Sequence, residues 1–115
     1  MQIQINTDAN IEGSEAVGAQ IRRTVERVLS RFDDRITRVE VHLSDQDGPT
    51  RGDTGGQKDK RCVMEARLEG RQPVAATHQE ATVDQAVQGA ADKLARIIDS
   101  DLGRETHAGR SPGQV

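Results

Sequence analysis

The sequence predicts an α+β fold: a two-layer β-α-β-β-β-α sandwich whose four-stranded, mostly antiparallel sheet carries both helices on one face. Three observations lead there. Four short segments alternate apolar and polar residues with period two, the mark of half-buried strands. Two segments keep the three-to-four-residue apolar rhythm of amphipathic helices. Each of these stripes is apolar on one side only, so all of them must close on a single thin core. Composition agrees, with 33% hydrophobic residues and Phe32 as the lone aromatic among 115 residues. Such a core is aliphatic.

The first element is "QIQINT", where Ile3 and Ile5 alternate with polar neighbours. Ser14 then stands before a helical run, with Ser14 and Glu15 placed to cap and charge its first turn. Val17, Ile21, Val25, Val28 and Phe32 follow one buried helical face, with Gly18 weakening its early part. "ITRVEVHLSD" turns Val39, Val41 and Leu43 inward and Arg38, Glu40 and His42 outward. "RCVMEARLEG" repeats that pattern with Cys62, Met64, Ala66 and Leu68 inward. Between them, Gln46 to Asp59 reads as a long, mobile hairpin loop, rich in Gly and Asp and lacking an apolar anchor. Gly70-Arg71-Gln72 makes a tight turn into "PVAATHQE", where Pro73 suits an edge or the start of a strand. Residues 81 to 104 form the second helix. Residues 1–102 then make one domain, and residues 103–115, without periodicity, a frayed or disordered tail. The helix between the first two strands implies that they are parallel, with a right-handed crossover. From the first helix onward, the order α-β-β-β-α is also that of double-stranded RNA-binding domains.

Sixteen Lys and Arg against 19 Asp and Glu give a net charge of −3. The whole molecule therefore offers no attraction to nucleic acid, and any anion site must be a local patch. Cys62 stands alone, which excludes an internal disulfide and suits a reducing compartment. No apolar run approaches a membrane span, and "MQIQINTDAN" lacks the basic start and apolar stretch of a signal peptide. A soluble cytoplasmic protein without a membrane partner is expected.

The second helix poses the functional question. On a wheel of about 100° per residue centred on Leu94, Val83, Val87, Ala90, Ala91, Ile97 and Ile98 fall within roughly 60° and form the buried stripe. Lys93 and Arg104 lie near one edge of it with Arg96 further round, while Gln88, Asp92 and Asp99 take the opposite edge. In the first helix Arg23, Arg27 and Arg31 follow one another at four-residue steps, with Glu15 and Glu26 on the other side. Solvated faces with intrahelical ion pairs are the plainer explanation of charged helices. Yet like charges four apart repel slightly. A row of guanidiniums without interleaved acids fits phosphate contacts better.

Two motifs add to this. "FDDRITRVEVHL", followed by a strand pair and then "ADKLARII", resembles the ribosome hibernation-promoting factors, also called ribosome-associated inhibitor or sigma-factor modulation proteins. Asp34, Arg35, Ile36, Val39, Val41 and Leu43 fill that family's first motif. Ala91, Asp92, Lys93, Leu94 and Arg96 fill its last-helix signature. The resemblance covers about residues 2 to 102 in the same element order. It implies a non-enzymatic factor of the short form that occupies the messenger and transfer RNA channel of the small ribosomal subunit during starvation or stationary phase. Its partner would be 16S ribosomal RNA, and a monomer is the expected state. Arg27, Lys93 and Arg96 match cationic positions of the family's helices; Arg23, Arg31 and Arg104 extend the RNA-facing set from the wheel. Where the family often has Tyr, this chain has Asp84, and Gly18 and Thr24 stand where it has cations.

Other signals carry less. Arg51-Gly52-Asp53 spells an adhesion tripeptide by chance, and "GDTGGQK" misses both the spacing and the context of a phosphate loop. His42, His78 and His107 do not form a metal or catalytic set, His78 reading instead as a hydrogen-bonded, semi-buried residue. No nucleophile-base pair is visible, so no enzyme, small-molecule substrate or cofactor is expected. The alternative to ribosome binding is a divergent module that kept the fold and binds a protein through its acidic side. Deleting several central residues of the loop between Gln46 and Asp59 is expected to leave thermal stability nearly unchanged; a large drop in melting temperature would show that the loop packs.

Overall fold

The computed structural model describes residues 1–8, 15–45 and 59–110, with side chains as far as Gly103. Ser14, residues 46–58 of the expected loop and residues 111–115 lie outside the described residues. The elements follow the expected order: β1 (Gln2–Thr7), α1 (Glu15–Leu29), β2 (Ile36–Asp45), β3 (Lys60–Leu68), β4 (Val74–Glu80) and α2 (Val83–Arg110). One sheet holds the strands in the order β1-β2-β3-β4. β1 runs parallel to β2, and the other two pairings are antiparallel.

Register puts the inward residues on one face. Ile3 pairs with Val39, Val39 with Ala66, Val41 with Met64, and Met64 with Ala76. All are buried, and the helices cover them. Ile36 joins this core even though its parity is wrong for Val39 and Val41. The register shifts between Ile36 and Arg38, a bulge that inserts Thr37 as an extra residue. The Thr37 hydroxyl donates to the Arg67 carbonyl at 3.1 Å and holds the bulge. At the other hairpin, the Arg71 amide donates to the Leu68 carbonyl at 3.1 Å. Gly70 takes a φ of 74° there, a conformation that a Cβ would penalise.

α1 is shorter than its apolar rhythm suggests. It ends at Leu29 and tightens into a 3-10 turn over Ser30–Phe32. Phe32 is buried in that turn, and Leu29, rather than Val28, is the fully buried residue of the last turn of α1. An Arg22 guanidinium donates to the Ile3 carbonyl at 3.2 Å and ties α1 to β1. α2 begins at Thr82, whose hydroxyl accepts the Gln85 amide at 3.2 Å, an N-cap with Gln at the third helical position. Its backbone runs to Arg110, past the end expected at residue 104. Gly103 lowers helix propensity without stopping a helix, and Pro112 is the first residue beyond it that cannot continue one.

α2 packs on β3 and β4 and, on its other side, against α1. This corrects the expected stripe. Ala86 and Ala95, on opposite edges of the stripe, are both buried, whereas Ile97, expected inside, is 37% exposed.

His78 is half-buried, as expected, and its Nε2 lies 2.8 Å from the Glu80 carboxylate. Its ring fills the notch left by Gly89, where a Cβ would come within 2.0 Å of the ring. Gly89→Ala is therefore expected to destabilise by about 1–2 kcal/mol, overpacking outweighing a helix-propensity gain of about 1 kcal/mol. In a His78→Ala background the same substitution is expected to stabilise. Urea unfolding of the four variants checks this, and Gly89→Ala stabilising both backgrounds would refute the notch.

Cys62 is fully buried, and that burial pushes its thiol from the ordinary 9.0 up to about 12. The native state thus keeps a proton that the unfolded chain loses. The contribution to stability is whole below about pH 9 and is lost as pH rises toward 12, at up to about 1.4 kcal/mol per pH unit. Relative to Cys62→Ala, wild-type stability is expected to fall across that window. A pH-independent difference between the two proteins would contradict the burial argument.

Candidate nucleic-acid interface

The helix layer carries the expected cations. Arg23, Arg27, Arg31, Lys93 and Arg96 are all exposed. Arg104 lies on the helical backbone of α2, and its side chain is outside the described residues.

Each described cation is held differently. Arg23 donates to the Gln20 side chain one turn earlier, at 2.8 Å. Arg27 reaches across to α2 and donates to Gln88 Oε1 at 2.8 Å. The Gln88 amide in turn donates to Asp92 at 3.0 Å. Arg31 sits in the 3-10 turn with its guanidinium 4.5 Å from the centroid of the Phe32 ring, a cation-π contact. Lys93 leans the other way, its ammonium donating to the Thr77 carbonyl of β4 at 3.1 Å. Arg96 makes no hydrogen bond or ion pair with any described residue.

The two rows do not merge. Gln88 and Asp92 occupy the flank of α2 that faces α1, while Lys93 occupies the flank above β4, as the wheel separates them. Arg27 therefore meets the amide-and-acid edge of α2 and not its cations. Arg96 stands on the outer surface between those flanks. Beside it, Lys93, Arg96, Ile97 and Ser100 line an open depression of about 420 Å³. Gln88 and Ile97 were not legible as parts of this surface. A lone amide carries no charge signal, and Ile97 has the period of a core residue.

None of the five described cations forms a salt bridge among the described residues. Four other described cations do pair with acids. Arg38 pairs with Glu40 at 3.0 Å, Arg67 with Glu65 at 3.7 Å, Lys60 with Asp59 and Asp45, and Arg71 with Asp101 at 2.9 Å. Thr24, where a cation was expected from the family pattern, is 8% exposed and packs as a small core residue. Among the described residues no group of three or more His, Cys, Asp or Glu is placed to hold a metal, and no helix is long and apolar enough to cross a membrane.

Comparison with known proteins places the chain. The family model described as sigma 54 modulation protein / S30EA ribosomal protein matches residues 3–104. The N-terminal domain of Thermus thermophilus Protein Y is similar in structure, with a TM-score of 0.66 and 22% identity, covering 87% of this chain and 98% of that one. A ribosomal subunit interface protein from Coxiella burnetii gives a TM-score of 0.71 at 14% identity, covering 90% of this chain and 99% of that one. No curated protein matches. At these identities the solved structures speak for the fold, and the family match, spanning most of the chain, speaks for descent. The chain belongs to the sigma 54 modulation protein / S30EA ribosomal protein family.

Proposed function

We propose that this protein binds the ribosome and inhibits translation as a hibernation factor. It acts as a cytoplasmic monomer, without cofactor or catalysis. Its site is the channel of the small subunit that messenger and transfer RNA otherwise occupy, and its helix layer faces 16S ribosomal RNA. The observation that carries this reading is the unpaired state of Arg23, Arg27, Arg31, Lys93 and Arg96 in a member of a ribosomal protein family. Arg38, Lys60, Arg67 and Arg71 are neutralised by neighbouring acids. On the helix layer the chain leaves those five for an outside anion, and phosphate is the anion that guanidinium forks fit best.

Cosedimentation with purified small subunits in a sucrose gradient tests it. Wild type is expected to comigrate at moderate salt, and its binding to weaken steeply as salt rises, because each phosphate contact releases counterions. Arg27→Glu combined with Arg96→Glu is expected to abolish comigration. The melting temperature should stay close to wild type, since exposed charges contribute about 1 kcal/mol or less. Arg67→Gln, on the opposite face of the sheet, serves as control and should bind normally. Undiminished comigration of the folded double variant would remove the helix rows from the interface.

A further inference from the structure

Ile97 is the one large apolar side chain that stands exposed among the described residues. It forms the floor of the depression that Lys93, Arg96 and Ser100 complete. These four positions recur at helical spacing and share one face of α2. The rim is cationic, and both cations can take a ligand. Lys93 donates one of its three protons to the Thr77 carbonyl, which fixes the ammonium beside Ile97 and leaves two donors outward. Arg96 keeps its whole guanidinium fork free of described partners.

Two cations alone would accept phosphate in any register. An isoleucine beside them, one turn on from Lys93 and next to Arg96, asks for something apolar on one side and anionic on the other. That is the profile of a nucleotide within a chain, with a flat base or ribose face beside negative phosphates. An extended acidic peptide fits less well. Its carboxylates could meet the cations, but its narrow backbone presents no flat apolar face to Ile97. We propose that this depression seats one unpaired nucleotide of ribosomal RNA, its base or ribose on Ile97 and its neighbouring phosphates on Lys93 and Arg96. The proposal rests on the ribosome-binding reading above and adds to it an apolar contact that cation patterns do not supply.

The test separates the apolar contact from the charges. Ile97→Ser removes the floor and keeps every charge. Its affinity for purified small subunits is expected to fall about fivefold to tenfold, with an unchanged salt dependence. Arg96→Gln is expected to flatten that salt dependence by somewhat under one unit of log-log slope. Wild-type affinity in folded Ile97→Ser would overturn the nucleotide seat while leaving the ribosome reading to the Arg27 and Arg96 double variant. Failure of wild type itself to bind would overturn both. A second measurement identifies the occupant. Cys62 is 0% exposed, so Ile97→Cys presents the accessible thiol for a short photoreactive maleimide. Crosslinking on the small subunit is expected to join position 97 to ribosomal RNA. A crosslink confined to a ribosomal protein would overturn the proposal and assign the depression to an acidic protein surface.

Discussion

The packing of α2 across β3 and β4, with α1 on its other side, is the constraint on which the rest of the structure depends. A sheet covered on one face has two edges, and α2 lies over one of them. Its inner surface is built from small residues (Ala86, Ala90, Ala91 and Ala95), so the helix approaches both α1 and the strands closely. Leu94, Val87 and Ile98 supply the apolar bulk that the chain, with a single aromatic residue, cannot supply otherwise. α1 lies on one flank of the helix and β4 under the other. Ala95 is sealed on the flank that carries Gln88, and Ala86 on the flank that carries Lys93, while Ile97, one turn after Lys93, is 37% exposed. The two flanks send Lys93 to the Thr77 carbonyl and Gln88 to Arg27. The surface chemistry of the helix layer thus follows from what each flank of α2 packs against.

Much of this was legible in the residues. Period-two alternation located the four strands, and a helix between the first two implied the parallel pair that the register contains. Sequence reading went astray where tertiary packing overrides local rhythm. Thr37 is inserted by a bulge, and no alternation pattern can show an extra residue, so Ile36 was missed as core. Leu29 follows Ile21 and Val25 at four-residue steps within α1, and packing puts it inside in place of Val28. Ile97 has helical periodicity in full. Its exposure is set by tertiary packing, since Ala86, about 20° away on the same wheel, is fully buried. α2 also runs beyond its apolar pattern, since propensity can carry a helix past the last residue that packs.

Net charge was a poor guide to the surface for a related reason. The chain sums to −3, yet its acids are unevenly used. On the open face of the sheet, Glu40 lies opposite Glu65 and Arg38 opposite Arg67, so like charges face each other across β2 and β3. Such pairs are unfavourable, and the strands resolve them lengthwise. Glu40 lies 3.0 Å from Arg38 and 3.4 Å from His42. Gln4 also accepts a hydrogen bond from Arg38. The sheet face is thereby close to self-neutral. A ligand responds to the local patch and not to the sum, and on the helix layer the patches contain cations whose nearest described partners are amides, a carbonyl and an aromatic ring.

Those neutral partners have a consequence for how such a surface can act. A carboxylate bound to Arg27 would compete directly with an incoming phosphate, and displacing it would expose a bare negative charge to the ligand. Gln88 avoids that conflict. Its carbonyl oxygen orients the guanidinium, and its own amide protons turn to Asp92, so the acid is one residue removed from the cation. Thr77 does the same for Lys93 with a backbone carbonyl, and Phe32 does it for Arg31 with a ring face. Each cation is therefore partly ordered before any anion arrives, which lowers the side-chain entropy lost on binding, while its formal charge stays uncompensated. Separation of the rows sets a further limit. Arg27 works in the groove between the helices, and Lys93 and Arg96 work on the far flank of α2, with Gln88 and Asp92 between them. A polyanion that engages both groups at once must cross that polar divide or present two separate strands to it. In the proposed ribosomal reading the second arrangement is the natural one, because a folded RNA offers phosphates from several strands to a surface this wide.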